Sequence, residues 1–354
     1  MRRLLDASRP ELEDTVSRIL GCPVDSVHKL SGGHNSRVYS VTEGGGRQYV
    51  AKVYPSAGPS GRDRLDIEYG ALQFLRRHGV ECVPRTVGFD RYARCAIYEF
   101  VDGDSIPSPT VTTPDIDQAV DFLVCLASLG SALDSAELPI AAEACFSVQE
   151  IIESIELRQS KLLAVRGEGS LYSAFHDFLA LEFAPAFDRI GNWCRFQSES
   201  QGLSPDTRLE SDSRTLSPSD FGFHNALRHA DGRIVFLDFE YFGWDDPAKT
   251  ISDFLLHPGM DLDRILKSRF WDGVVDGLSG FRNLASRVKM VYPLWGLKWC
   301  MILLNEFVPD LMAIREFSAE AQQDGDSSRK RQLNKARRML AKVMDEYEGF
   351  PYGN

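Results

Sequence analysis

Two carboxylates and one amide in the second half of the sequence could support metal-assisted phosphoryl transfer. Asp220 lies five residues before Asn225, and Asp238 follows the apolar run Ile234-Val235-Phe236-Leu237. Phosphoryl transfer requires a group that orients or deprotonates the acceptor hydroxyl and ligands that hold a metal on the phosphates. Mg²⁺ prefers oxygen ligands. We therefore predict that Asp220 acts on an acceptor hydroxyl and that Asn225 and Asp238 bind magnesium.

The first part of the sequence contains residues suited to a nucleotide. Gly32 and Gly33 lie between two predicted strands, where backbone N–H groups can approach phosphate oxygens without a Cβ in the way. Lys52 is a charged residue in an otherwise apolar strand, where it could reach a phosphate and pair with Glu68 on the following helix. Each feature alone is more typical of a turn or a solvated surface. Their order along the chain predicts a nucleotide site.

The elements that position these residues can be read from local patterns. β-branched and aromatic residues in 37–41 and 49–54 flank the turn Glu43-Gly44-Gly45-Gly46 and predict a hairpin. Apolar residues recur at helical spacing over 67–75, and two short strands follow at 85–89 and 95–100. The predicted order is three strands, one helix and two strands.

The residue pattern changes from strand-like to mainly helical after Val101-Asp102-Gly103. Helical spacing dominates from Ile116 to about Phe196, and residues 197–219 are predicted to form a surface loop because they contain few apolar residues. The turn Ala230-Asp231-Gly232 predicts a second hairpin, and helices fill most of the remainder. We expect a first domain at residues 1–101 and a second at residues 102–354.

Composition limits the classes of partner. The net charge of −11 and pI of about 5.2 disfavour a nucleic-acid-binding protein, which needs clustered Lys and Arg. No apolar stretch is long enough to span a membrane. The seven cysteines are scattered without C-x-x-C spacing, which is typical of free buried thiols in a reducing compartment. The sequence therefore predicts a cytoplasmic protein.

Taken together, these features resemble the aminoglycoside phosphotransferase and choline kinase-like family, small-molecule relatives of the protein kinases. The resemblance covers most of the chain and includes Tyr98-Glu99-Phe100-Val101-Asp102-Gly103, Asp238-Phe239-Glu240 and Gly243-Trp244-Asp245-Asp246-Pro247-Ala248. It implies a kinase-like α+β fold with a small N-terminal lobe, built from an antiparallel sheet and one helix. A larger, mainly helical C-terminal lobe would follow, with the nucleotide in the cleft between the lobes.

The resemblance also implies a role for each matching residue. Asp220 would be the catalytic base, and Asn225 and Asp238 would bind Mg²⁺. The positions expected to bind the nucleotide, ATP or GTP, are Gly32, Gly33, Asn35, Ser36, Lys52, Glu68, Glu99 and Val101. The backbone at 99–101 would meet adenine, and Asp253 would be a structural carboxylate bonded to the catalytic loop. The acceptor would be a hydroxyl group of a small molecule.

One position departs from the family pattern. The family usually has His-Gly-Asp where this chain has Pro218-Ser219-Asp220. This departure raises an alternative, a catalytically impaired pseudokinase-type protein that binds a nucleotide in a regulatory role. The presence of Lys52, Asp220, Asn225 and Asp238 together favours an enzyme, because a degenerate protein is expected to lose at least one of them.

Two further patterns have a second interpretation. Asp220-Phe221-Gly222 spells the metal-binding motif of protein kinases, but no Asp–Asn pair lies about 18 residues upstream, as that pattern requires. Trp295, Trp299 and Glu306 on a predicted helix at 294–307 could form an aromatic and acidic wall for a cationic substrate. A core-packing helix is the favoured interpretation of that segment.

Overall fold

The computed structural model describes residues 9–30, 36–55, 61–309 and 325–353. They divide into two compact units. The first comprises 9–30, 36–55, 61–105 and 225–242, and the second comprises 106–224, 243–309 and 325–353. The expected domain boundary after residue 101 remains a prediction. Residues 31–35, which include the predicted phosphate-binding glycines, lie outside the described residues.

A five-stranded antiparallel sheet forms the main part of the first unit, in the order β1-β2-β3-β5-β4. Its strands are β1 (Val24–Leu30), β2 (Arg37–Glu43), β3 (Gln48–Val53), β4 (Thr86–Asp90) and β5 (Cys95–Glu99). The predicted hairpin of β2 and β3 is confirmed, with Val38 opposite Lys52. Each of the predicted strands is present within a few residues of its expected bounds.

Two helices complete this part of the unit, α1 (Arg9–Leu20) and α2 (Arg64–Arg77). In β3, Tyr49, Ala51 and Val53 join the buried cluster that includes Leu12 and Val16 of α1. Because successive side chains of a strand point to opposite faces, Lys52 lies on the other face of the sheet from this cluster. The alternation of β3 thus separates an apolar core from the charged residue. Helix α1 was not predicted.

A three-stranded antiparallel sheet closes the first unit. It pairs β6 (Asp104–Ser105) with β8 (Ala226–Arg228), and β8 with β9 (Ile234–Phe236). The turn at Asp231-Gly232 connects β8 and β9, as predicted, and Gly232 has a φ of 89°. Asn225 immediately precedes β8, and Asp238 lies two residues after β9, at the same end of the hairpin.

The second unit is mainly helical. Its helices are α3 (Thr113–Leu129), α4 (Val148–Leu163), α5 (Ser170–Asp177), α6 (Ala184–Ser200), α7 (Pro247–Leu256), α8 (Arg264–Gly277), α9 (Leu284–Leu303) and α10 (Gly325–Glu346), with a π-helical turn at Phe178–Phe183 before α6. Helix α9 packs against α4, α6, α7 and α10. It is buried along most of its length, because its neighbours cover it on several sides.

A two-stranded antiparallel sheet of β7 (Thr215–Ser217) and β10 (Gly243–Asp245) lies beside these helices. The predicted loop at 197–219 is therefore shorter than expected, because α6 continues to Ser200 and β7 begins at Thr215. The mixed α+β architecture is confirmed. All seven cysteines are free, and none of the described helices is long and apolar enough to cross a membrane.

Candidate active site

Lys52 is the centre of a buried cluster of charges in the first unit. Its Nζ lies 2.6 Å from Glu68 Oε2, 2.6 Å from Asp238 Oδ1 and 3.6 Å from Glu240 Oε2. The side chains of Lys52 and Glu68 are 9% and 5% exposed, whereas that of Asp238 is 33% exposed. The predicted pair of Lys52 and Glu68 is thus present, and Asp238 is the member of the cluster that is most accessible to solvent.

The charges of this cluster depend on one another. Burial alone would lower the pKa of Lys52, but the three surrounding carboxylates outweigh burial and raise the pKa above its ordinary value. Burial raises the pKa of Glu240 to about 7, and the Asp238 carboxylate adds to this effect against the opposing charges of Lys52 and Arg64. Three carboxylates therefore face one ammonium and the Arg64 guanidinium, which lies 3.1 Å from Glu240 Oε1.

Two further hydrogen bonds hold the Glu68 carboxylate in place beside Lys52. Tyr54 donates its hydroxyl to Glu68 Oε2 at 2.7 Å, and the backbone N–H of Phe239 donates to Glu68 Oε1 at 3.4 Å. Glu68 lies in the second turn of α2, whose N-cap is Asp63. Because this cap fixes where α2 begins, the position of Glu68 on the helix is fixed as well. The Glu68 carboxylate in turn orients Lys52.

The β8–β9 hairpin brings the two predicted metal ligands to one end of a small sheet. The N–H of Leu237 donates to the carbonyl of Asn225 at 2.8 Å, so that Asn225 and Asp238 are neighbours across the hairpin. Asp238 has a φ of 65°, in the left-handed region that costs a non-glycine residue energy. Such backbone strain is often found at functional sites.

The carboxylates near Asp238 are ligands of the kind that a hard divalent cation takes, and in this structure the Lys52 ammonium lies among them. Oxygen atoms of Glu68, Asp238 and Glu240 lie within 4.8 Å of one another. Glu240 Oε2 is buried and has no hydrogen-bond partner among the described residues. Carboxylate and amide oxygens are the ligands Mg²⁺ prefers. Glu240 belongs to the Asp-Phe-Glu motif but is not among the predicted site residues, although its position two residues after Asp238 is a usable signal.

The other predicted nucleotide-binding positions are placed only in part. Gly32, Gly33 and Asn35 lie outside the described residues. Ser36 is buried immediately before β2. Glu99 ends β5, and its N–H donates to Arg85 O at 2.9 Å, whereas Val101 follows the strand in irregular backbone. The roles of these six residues stay predictions.

In the second unit, Asp220 lies against a pair of stacked imidazoles. His224 Nε2 is 3.0 Å and His257 Nε2 is 3.6 Å from Asp220 Oδ1. The two rings stack at 3.9 Å with an angle of 4° between their planes, and Trp299 meets His257 edge-on. Burial, together with the neighbouring His224, lowers the pKa of His257 to about 3. His257 was not predicted, because no spacing links it to Asp220.

Aromatic side chains anchor the loop that carries Asp220. Phe221 stacks between Phe122 and Phe254, with ring centroids 5.7 Å apart in both pairs. Gly222 has no room for a side chain, because a Cβ there would lie 2.8 Å from ring atoms of His224. The alternation of apolar residues and glycine in Asp220–Phe223 thus serves packing around the carboxylate.

The aromatic and acidic wall suggested for a cationic substrate is wrong for Trp295, which is 1% exposed and packs in the core. Trp299 is partly exposed and donates its indole N–H to Asp253 Oδ1 at 2.9 Å. Glu306 is 7% exposed and accepts a hydrogen bond from Gln332. The core-packing interpretation of this helix is the one the structure supports.

A protein-family model matches most of the length of the chain. Residues 26–279 match the model of the phosphotransferase enzyme family. The chain belongs to this family. Membership confirms the predicted family and the predicted enzyme class, a small-molecule phosphotransferase. None of the curated proteins compared with the chain matches it.

Solved structures of phosphotransferases share the fold. A spectinomycin phosphotransferase in complex with ADP and spectinomycin aligns with a TM-score of 0.66 at 13% identity, over 97% of this chain and 99% of that one. The choline kinase LicA from Streptococcus pneumoniae aligns at 0.57 with 16% identity, over 94% and 98%. A Plasmodium vivax ethanolamine kinase aligns at 0.57 with 13% identity, over 96% and 86%. At these identities the comparison establishes the kinase-like fold.

Proposed function

We propose that this phosphotransferase moves the terminal phosphoryl group of a nucleoside triphosphate, in the first instance ATP, to a hydroxyl of a small molecule. The observation that supports the proposal most is the cluster in which Lys52 contacts both Glu68 and Asp238 at 2.6 Å. A buried ammonium beside an accessible carboxylate at a strained backbone position is suited to phosphates and their metal.

Each residue has a defined part in the proposal. Lys52, oriented by Glu68, binds the nucleotide phosphates, and Gly32, Gly33, Asn35 and Ser36 are proposed to bind them through backbone N–H groups. The backbone at Glu99 and Val101 binds adenine. Asp238 and Asn225 would hold Mg²⁺, which when bound neutralises charge on the phosphates.

Asp220 is the proposed base. His224 occupies one of its carboxylate oxygens at 3.0 Å, and the side chain remains 35% exposed. On this proposal, the carboxylate accepts the proton of the acceptor hydroxyl while the phosphoryl group is transferred in line. The alternative, a pseudokinase-type nucleotide-binding protein, follows from Pro218-Ser219 and predicts binding without turnover.

A pooled-metabolite screen for phosphate transfer tests the proposal, with Mg·ATP and Mg·GTP as donors. Asp220→Asn is expected to reduce transfer by about 1,000-fold or more, because the base is lost. Asp231→Asn is the control, since Asp231 is exposed on the β8–β9 turn and pairs with Arg233. Equal transfer by the parent and the Asp220 variant would overturn the assignment of the base. A thermal shift with Mg-nucleotide but no transfer to any acceptor would support the pseudokinase.

A further inference from the structure

The residue before the proposed base has an unusual backbone. Ser219 has a φ of 69°, a left-handed conformation that brings Cβ close to the carbonyl oxygen and is costly for residues other than glycine. The family pattern has glycine at this position. Because φ at Ser219 decides where the next residue lies, the strained conformation must be held by its surroundings if Asp220 is to stay in place.

The hydroxyl of Ser219 both donates and accepts a hydrogen bond. Its Oγ donates to Ala142 O at 2.8 Å and accepts from Lys249 Nζ at 2.9 Å. The N–H of Ser219 donates to Ser217 Oγ at 2.9 Å, and Ser217 Oγ lies 2.8 Å from Thr250 Oγ1. Glycine could make only the backbone bond. The serine side chain therefore ties the strained residue to the start of α7.

Lys249 is buried at the centre of this connection. Its side chain is 3% exposed, and its Nζ lies 2.8 Å from Asp245 Oδ2 and 3.4 Å from Asp253 Oδ2. Asp253 is itself fixed by the indole N–H of Trp299. Ser219, Asp245 and Asp253 thus surround the ammonium group, so that its position is defined.

Stability alone does not account for this arrangement. Replacing a buried ion pair by apolar residues of similar size is often neutral or stabilising, because the charges must be taken out of water. What the ammonium provides, and a methyl group does not, is a directed hydrogen bond to one hydroxyl. That hydroxyl belongs to the residue whose φ sets the direction of the chain into Asp220.

We propose that Lys249 is a positioning residue for Asp220, acting through the Ser219 hydroxyl to hold the backbone before the base in its left-handed conformation. On this proposal, which rests on the proposed function, the lysine and serine together replace what glycine provides in the family pattern. The departure at Pro218-Ser219 is then compensated within the second unit, and the chain is an active enzyme.

The test uses the full chain with two Lys249 variants. Lys249→Met leaves Asp245 buried without its partner, so Lys249→Met/Asp245→Asn is made as well to restore folding stability. Lys298→Met is the matched control, because Lys298 is 2% exposed in the same unit and pairs with Glu143 at 3.1 Å. Turnover is measured with the best acceptor of the screen and, with water as acceptor, by hydrolysis of Mg·ATP.

The double variant is expected to lose about 100-fold in kcat, with KM for Mg·ATP changed by less than about threefold, because misplacement of a reacting group affects the chemical step. Lys298→Met should keep kcat within about threefold of the parent. In a Ser219→Gly background, Lys249→Met/Asp245→Asn should change kcat by less than about threefold, since the hydroxyl through which Lys249 acts is absent.

Hydrogen exchange provides a reading that does not need activity. Peptides covering residues 217–223 should exchange about tenfold faster in Lys249→Met/Asp245→Asn than in Lys298→Met. Unchanged kcat in the stable double variant, or an equal loss in the Ser219→Gly background, would overturn the positioning role. If the parent has no turnover at all, the proposed function fails, and exchange at 217–223 that matches the control then refutes the inference about Lys249 separately.

Discussion

In the first unit, Lys52 combines a structural ion pair with a proposed functional role. Lys52 compensates the charge of Glu68 inside the protein and at the same time contacts Asp238, which is one-third exposed. A substrate phosphate could compete for the same ammonium, because Lys donates up to three hydrogen bonds from one point charge. Loss of Lys52 should therefore affect stability as well as binding.

Lys52→Met is expected to lower the free energy of unfolding by about 3 kcal/mol, because the variant leaves buried carboxylates without their cation. Lys52→Met/Glu68→Gln should recover part of this loss, since one of the unpaired charges is removed. Lys335→Met serves as the control, because Lys335 is exposed on α10. Urea unfolding measures all three variants, and equal stability of the single and double variants would contradict the proposed origin of the loss.

At the scale of elements, strand β10, which leads into α7, packs closely against the backbone of residues 139–141. Trp244 of β10 donates its N–H to Pro139 O at 2.8 Å and accepts from Ala141 N–H at 2.9 Å, so that residues 139–141 run directly beside the strand. The N-cap of α7 follows at Asp246, whose carboxylate also binds Arg287 at 2.6 Å. This packing fixes the start of the helix that carries Lys249.

Gly243→Ala is expected to destabilise the protein by about 1–3 kcal/mol, because a Cβ at this position would clash with Pro139 O and lie 2.6 Å from Ala141 N. Gly280→Ala is the matched control, since a Cβ there would meet no atom within 4 Å. The control should change stability by less than about 0.5 kcal/mol. The midpoints of urea unfolding measure the stability of both variants. Similar midpoints for the two would show that residues 139–141 can move away at little cost.

At the scale of the whole molecule, the proposed base and the proposed metal ligands belong to different units. Asp220 lies in the second unit, whereas Lys52, Asn225 and Asp238 lie in the first. The proposal therefore assigns nucleotide binding and proton acceptance to separate compact parts of the chain. Binding and turnover should accordingly be separable by mutation.

Mg·ATP at about 100 times its Kd should stabilise the parent by about 2.7 kcal/mol, and chelation of Mg²⁺ with EDTA should remove most of this effect. Asp220→Asn should keep the stabilisation, because the base does not hold the nucleotide. Asp238→Asn should lose it. Thermal unfolding with and without Mg·ATP and EDTA provides the comparison, and full stabilisation of the Asp238 variant would show that this residue is not a magnesium ligand.

The sequence by itself determined most of the elements and the order of the candidate site residues. The β2–β3 hairpin followed from alternation and a glycine turn, and the run before Asp238 followed from its apolar strand, since both patterns are local. Helix α1 was not predicted, although Leu12, Val16, Ile19 and Leu20 recur at helical spacing and form the face that packs against the sheet.

Only the tertiary structure decided which distant side chains meet. The position of His257 beside Asp220 and the bond from Lys249 to Ser219 join residues far apart in sequence, and no local spacing encodes such contacts. The left-handed backbone of Ser219 likewise depends on neighbours that packing provides. Local propensity therefore fixed the type of each element and the residues in it. Burial and long-range packing fixed the charge states of the side chains, the strain of the backbone and the partners of each residue.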